Sequence, residues 1–247
     1  MRNRKIRRRL PGNFGRRPIW VSPDARLNYM NFGASAFDSE LLQVAKTYIR
    51  NGDLILDVGA NCGEFALAAA HQAGSAGATL AVEPDPFLGS LLAMTILESG
   101  NKDVNLHHLS CAVSSTSGLA RFFVSARGRA ASALATSGDV DMGGKRHEFL
   151  VPMATIDQIA TFWRVPNFVK IDVEGEELRV LQGAKQTLLT NRPLVYVEIR
   201  KDKELIRQML PEIGYLPFDP KDREFKVPLA EFTFNTLLVP KEMTGRR

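Results

Sequence analysis

The sequence predicts an α/β fold, a doubly wound, mostly parallel sheet closed by an antiparallel C-terminal strand pair. Three observations carry this expectation. Apolar runs of strand length alternate with stretches of helical periodicity from residue 53 to about 215. The first run, Leu54-Ile55-Leu56-Asp57-Val58, opens directly into a turn bounded by Gly59 and Gly63 and then into a helix from Glu64 to Ala70. Asp57, Glu83, Cys111, Asp172 and Glu198 fall at or near predicted strand ends, beyond which such sheets hold their ligands.

Taken in order, residues 1–17 form a basic arm. Eight of the 32 Lys and Arg residues lie there without an acid, so the remaining 24 face 27 acidic residues. Such an arm reads first as a solvated tail, although it can touch nucleic acid or anionic lipid. Residues 18–247 read as one domain. Ile19 to Phe37 mixes Pro, Asn and aromatics without a sustained period and is expected to pack as an irregular lid. Asp38 or Ser39 can cap a helix ending near Asn51-Gly52, and the first sheet strand follows.

Glu83 closes the next apolar stretch, twenty residues beyond Gly63, the spacing at which a second strand offers an acid to a ribose diol. The dinucleotide pattern GxGxxG is not met, because Asn61 stands where a glycine would be. Pro84 and Pro86 shape a turn before a helix from Phe87 to Ser99. Val104 to Val113 reads as a third strand whose end, with Cys111 and Ala112, would stand beside an adenine. Shorter strands around Phe122, Val124, Leu150, Val151 and Met153 flank a Gly-, Ser- and Ala-rich loop from Arg127 to Arg146, expected to be mobile and to cover a substrate. A helix begins near Thr155 and Asp157. Phe168 to Val173 is a fourth strand, a helix runs through Leu178 to Leu188, and Pro193 to Ile199 is a fifth strand. After a helix from Asp202, Phe225–Val227 and Phe232–Val239 read as the closing antiparallel pair.

Composition narrows the class. No apolar run reaches the length that crosses a bilayer and no signal region follows the first arginines, so a cytoplasmic location is expected. Cys62 and Cys111, the only cysteines, give neither a disulfide framework nor zinc spacing.

The turn DVGANCG followed by VEPDP resembles the cofactor loop of class I S-adenosylmethionine-dependent methyltransferases. Lys170-Ile171-Asp172-Val173-Glu174-Gly175, a helix with Leu181-Gln182-Gly183-Ala184, then Arg192-Pro193 and Val197-Glu198 resemble the FkbM family of methyltransferases. The resemblance covers roughly residues 53 to 200, with a helix and Gly214-Tyr215 beyond. It implies a Rossmann-like fold, S-adenosyl-L-methionine as methyl donor, and O-methylation of a hydroxyl on a sugar or natural product. Carried to this chain, it makes Asp57, Gly59, Ala60, Asn61, Gly63, Glu83 and Pro84 cofactor contacts and sets Asp172 and Glu174 beside the transfer site. In this reading Asp57 attracts the donor's ammonium, and the loop and helix N-terminus receive its carboxylate. The arginine arm lies outside the family pattern.

A hydroxyl acceptor needs a general base, and Asp172 and Glu174 share one side of the chain if the strand continues through Glu174. Their structural alternative is that Glu174 caps the helix while Asp172 holds the donor's ammonium. Lys170 can tune Asp172 or simply snorkel. Glu198 can meet a substrate hydroxyl, but as a lone carboxylate it gives no metal spacing, so no metal is expected. His71, His107 and His108 read as structural, and His147 borders the loop. Trp20, Phe32, Phe37 and Trp163 can stack on a ligand, although core packing is their default. Three readings stand: methylation of a small-molecule or glycan acceptor, methylation of RNA guided by residues 2–17, and an inactive cofactor-binding interaction protein.

Overall fold

The computed structural model describes residues 3–137 and 143–245. In chain order the elements are β1 (Ile6–Arg9), β2 (Pro18–Val21), α1 (Ser39–Tyr48), β3 (Leu54–Val58), α2 (Glu64–Ala73), β4 (Ala78–Val82), α3 (Pro86–Ile96), β5 (Leu106–Leu109) and β6 (Ala112–Val113). They continue with β7 (Gly118–Ser125), β8 (Ala133–Leu134), β9 (Lys145–Ala154), α4 (Ile156–Phe162), β10 (Phe168–Ile171), α5 (Glu177–Gln182), α6 (Lys185–Thr190), β11 (Leu194–Glu198), α7 (Lys203–Ile213), β12 (Tyr215–Phe218) and β13 (Asn235–Pro240).

Among the described residues the main sheet has seven strands in the order β12-β13-β11-β10-β3-β4-β5. Its five inner and outer α/β strands run parallel, and β13 pairs antiparallel with both β11 and β12. The chain starts this sheet at β3, builds outward through β4 and β5, then returns to β10 on the other side of β3. Strand order therefore reverses between β3 and β10, the place where a parallel sheet opens a crevice for a ligand.

Strand alternation divides the core. Ile55, Phe168 and Tyr196 face one apolar cluster with α1 and α2, whereas Leu56, Val58, Val169, Ile171, Val195 and Val197 face the other with α5, α6 and α7. Asp57 and Lys170 are register partners on the first side. α1 starts at Asp38, whose side chain accepts from the N–H groups of Glu40 and Leu41, and α4 starts on a capping box between Thr155 and Gln158.

The structure departs from the sequence expectations in five places. The helix expected through Leu178 to Leu188 is two, α5 and α6, broken at Gly183-Ala184. Within the arm, residues 6–21 form a β1–β2 hairpin instead of a solvated tail: Leu10 and Phe14 are buried, Arg7 bonds Glu98, and Arg17 bonds Asp103 and His71. Opposite charges at and beyond the end of α3 give the arginines partners that the arm itself lacks. The third strand is two, since Cys111 N–H turns back to the Leu109 carbonyl and Ala112-Val113 joins a separate four-stranded sheet, β6-β9-β7-β8. The closing pair is β12 with β13; residues 225–227 instead lie in a turn where the Asp222 carboxylate accepts from Glu224, Lys226 and Val227. Finally, β10 stops at Ile171, and Glu174 and Gly175 take left-handed conformations, φ 50° and 94°. Extended alternation through Glu174 is thus replaced by a tight turn.

Candidate functional site

Two hollows open at the carboxyl ends of the parallel strands and share Gly59, Asn61, Ala130, Asp172 and Glu174 in their walls. The first has an empty volume of about 600 Å³. Its apolar wall comes from Val58, Val82, Leu88, Cys111, Ala112 and Phe122. Glu83 and Pro84 stand at the end of β4 on the same wall. The second, of about 1120 Å³, holds Arg26, Asp38, Glu64, Lys170, Glu198 and Arg200, with Phe234 at its edge.

The glycine turn is built by close approach. A Cβ on Gly59 would sit 1.7 Å from the Asp172 carbonyl oxygen, so only glycine lets β3 and the end of β10 meet at the sheet's reversal point. Asn61 supplies the next left-handed residue, φ 53°, a conformation asparagine tolerates better than other side-chain-bearing residues. Gly63, φ 82°, starts α2 and backs onto Leu92, and it forms no part of either wall.

Glu83 is buried and held by two backbone donors, Asn61 N–H at 2.8 Å and Asp85 N–H at 2.9 Å. Burial pushes its carboxyl up to about 8. Each oxygen has capacity for a further hydrogen bond, and Glu83 lines the first hollow. Cys111 and Ala112 line that hollow, as expected, and burial pushes the Cys111 thiol up to about 11, so it stands there as a small apolar side chain. Ala60 faces the second hollow instead.

Asp57 lies deeper than the acids that line the hollows. Its carboxylate is wholly buried, lies off both walls and bonds Lys170 Nζ at 3.1 Å through Oδ1. Its Oδ2 has no side-chain partner among the described residues. Alternation along β3 turns it inward, opposite Lys170. Lys170 in turn donates to the Gly59 carbonyl at 3.2 Å and lies 3.7 Å from Asp172 Oδ2. Its ammonium is buried, so it does not snorkel.

Asp172, Glu174 and Glu198 each place a carboxylate oxygen within 4.8 Å of the other two. Glu198 is thus not the lone carboxylate expected from sequence; the three acids are as close as cation ligands. Two cations already oppose them: Arg200 bonds Glu174 at 2.9 Å and also Glu198, and Lys170 stands beside Asp172. Burial, reinforced by Asp172, pushes Glu174 up to about 8 and Glu198 up to about 7. Glu174 does not cap the following helix.

Several residues of the site carry no local sequence signal. Glu176, buried, accepts from the hydroxyls of Ser114, Thr136 and Ser137. Arg129, also buried, bonds Asp85 and Asp24 and lies over the Phe87 ring. These contacts tie residues 129–137 across the first hollow, so the described part of the loop expected to be mobile is anchored at both ends; residues 138–142 lie outside the described residues. In the second hollow Glu64 accepts from Tyr29 Oη and the Asp38 N–H, and burial pushes it up to about 7. None of the four histidines lines either hollow. Trp20 bonds Glu98, Phe37 is core, Phe32 is exposed, and Trp163 packs on the second cluster.

Comparison with known proteins adds the following. The methyltransferase FkbM domain matches residues 57–223. No curated protein matches the chain. Among solved structures, a methyltransferase FkbM from Methylobacillus flagellatus KT is similar over 79% of this chain and 47% of its own, at 17% identity and a TM-score of 0.48. A SAM-dependent O-methyltransferase from Thermotoga maritima covers 84% of this chain and 65% of its own (11% identity, TM-score 0.42), and a putative rRNA-methylase from Clostridium thermocellum covers 82% and 94% (10%, 0.45). The chain spans about half the length of the Methylobacillus protein. No described helix is long and apolar enough to cross a membrane.

Proposed function

The chain belongs to the FkbM methyltransferase family, and from that premise we propose that it transfers a methyl group from S-adenosylmethionine to a hydroxyl of a sugar or other small molecule. The observation that carries this reading is the pair of hollows meeting at Gly59 and Asp172, one suited to the donor and the other to an acceptor.

The residues present fit the donor. The chemistry of the first hollow's lining supports this fit. Glu83 is fixed by its two N–H bonds where a ribose diol can use its free lone pairs, and Val82, Leu88, Cys111 and Ala112 offer an apolar slot for an adenine. The methionine end would rest against Gly59, Asn61 and the Asp172 turn, where the missing Cβ of Gly59 leaves room. Once bound, the donor supplies an electrophilic methyl on a sulfonium.

The protein's own part is to position and to take a proton. In-line displacement gains most from holding the acceptor oxygen near attack distance. The second hollow supplies carboxylates, Asn235 and the Phe234 ring for that purpose. As the oxygen attacks, its proton passes to a carboxylate of the Asp172–Glu174–Glu198 group. A base that titrates near neutrality suits this task, and Glu174 and Glu198 are both raised toward it.

Methylation of RNA is the less favoured reading. Much of the basic arm is occupied in the hairpin, with Arg7 on Glu98, Arg17 on Asp103 and Arg8 on the carbonyls of Tyr29 and Met30. The test is calorimetry with S-adenosylmethionine and S-adenosylhomocysteine, followed by transfer of labelled methyl into cell extract sorted into RNA, protein and small-molecule fractions. Label in the small-molecule fraction is expected. No heat with either compound would remove the premise, and label in RNA alone would replace the acceptor.

A further inference from the structure

We propose that Lys170 is a positioning residue for methyl transfer, tying the glycine turn of the donor hollow and the carboxylate trio of the acceptor hollow to one buried ammonium; this rests on the reading of the two hollows given above.

A lysine at the centre of a parallel sheet is costly. Moving an ammonium out of water carries an effective penalty of several kcal/mol even after relaxation. Lys170 sits between Val169 and Ile171 on β10, with Asp57 opposite on β3 and Tyr196 opposite on β11. An apolar pair at 57 and 170 would pack there without that penalty. A pair kept only for neutrality would need Asp57 alone. Lys170 does more: its ammonium also bonds the Gly59 carbonyl and faces Asp172. Two of its protons are taken by hydrogen bonds to Asp57 and Gly59, and the Asp172 carboxylate at 3.7 Å adds a charge contact. Two of these three residues, Gly59 and Asp172, are wall residues common to both hollows.

Charge inventory supports the same role. β3 presents Asp57 to the ammonium, the turn after β10 presents Asp172 with Glu174 and Glu177 behind it, and β11 presents Tyr196 and Glu198. Arg200 follows β11, Glu83 follows β4, and Glu64 of α2 with Arg26 and Asp38 from the segment before α1 complete the acceptor hollow. Burial opposes the charge on Lys170, but Asp57 and then Asp172 hold it above the usual lysine range. The ammonium also restrains the upward shift of Glu198 and Glu83. Removing it should release both.

The test compares wild type, Lys170→Met, Lys170→Arg and the double variant Asp57→Asn/Lys170→Met. The double variant removes both buried charges, so a folded protein is retained even where the single variant leaves Asp57 unpaired. Carboxyl carbon NMR titration of Glu198, assigned with Glu198→Gln, is expected to start near 7 in wild type and rise by about half a unit or more in both Met variants, with Lys170→Arg close to wild type. Labelled methyl transfer into the small-molecule fraction of extract should fall at least about tenfold in the folded double variant. Full transfer activity in that variant, or an unmoved Glu198 midpoint, overturns the proposal. A wild type that neither binds S-adenosylhomocysteine nor transfers methyl refutes the functional reading instead, while the titration still decides whether Lys170 governs the trio.

Discussion

At the scale of single residues, the site depends on atoms that are missing as much as on those present. A methyl at position 59 would collide with the backbone of Asp172, which no rotamer change can relieve. Gly59→Ala is therefore expected to lower stability in urea titration by more than about 3 kcal/mol, or to abolish donor binding in whatever remains folded. Asp172→Ala removes a carboxylate from the wall common to both hollows and from contact with Lys170. Its turnover should fall at least about tenfold with secondary structure unchanged by circular dichroism. Unaltered turnover would remove Asp172 from the transfer site. The pairing of Asp57 with Lys170 was not legible in the sequence, because an acid before a glycine turn carries no sign of which residue lies opposite it on the neighbouring strand. Only register decides, and register put Lys170 opposite it.

At the scale of elements, the N-terminal hairpin carries the clearest prediction. Phe14 is fully buried and packs edge-on against His71 of α2, while Leu10 and Ile19 join the same core cluster. Phe14→Ala should cost about 3–5 kcal/mol in chemical denaturation, as for other large-to-small core changes. A tail without packing would show no change. The sequence hid this hairpin because its arginine density resembles a solvated run, and the acids that pair with it lie some eighty to ninety residues later, at Glu98 and Asp103. The central strands and helices were legible because each has a local cause: apolar runs bounded by turns, Asp38 and Thr155 as caps, glycines at forced turns. The strand around residue 225 was misread because alternation in a short segment cannot reveal that one aspartate collects three N–H groups. Arg129 and Glu176 had no local spacing to betray them, since their partners come from distant parts of the chain.

At the scale of the whole molecule, the buried glutamates set a pH dependence. Glu64 and Glu198 are raised to about 7 and Glu83 and Glu174 to about 8 by burial. Between their unfolded values near 4.5 and those folded values, the native state binds more protons than the unfolded chain, so stability falls as pH rises. Asp103, held at about 2 by Arg17, acts only in stronger acid and does not offset this window. The thermal midpoint is expected to be higher at pH 5.5 than at pH 8.5 in differential scanning measurements of the free protein. A midpoint that climbs over that interval would contradict the burial of these four carboxylates. The double winding that gathers them was legible from alternation alone; which of them meet was not, because it follows from the reversal of strand order between β3 and β10.

That reversal leaves the two hollows back to back with a thin shared partition, while most of their outer sides come from different parts of the chain: Arg129 and residues 132–134 for one, and residues 25–41 with Phe234 and Asn235 for the other. Substitutions in residues 25–41 can therefore reshape the periphery of the second chamber without touching Arg129 or residues 132–134 around the first. One partition thus separates two chambers whose outer walls can vary independently.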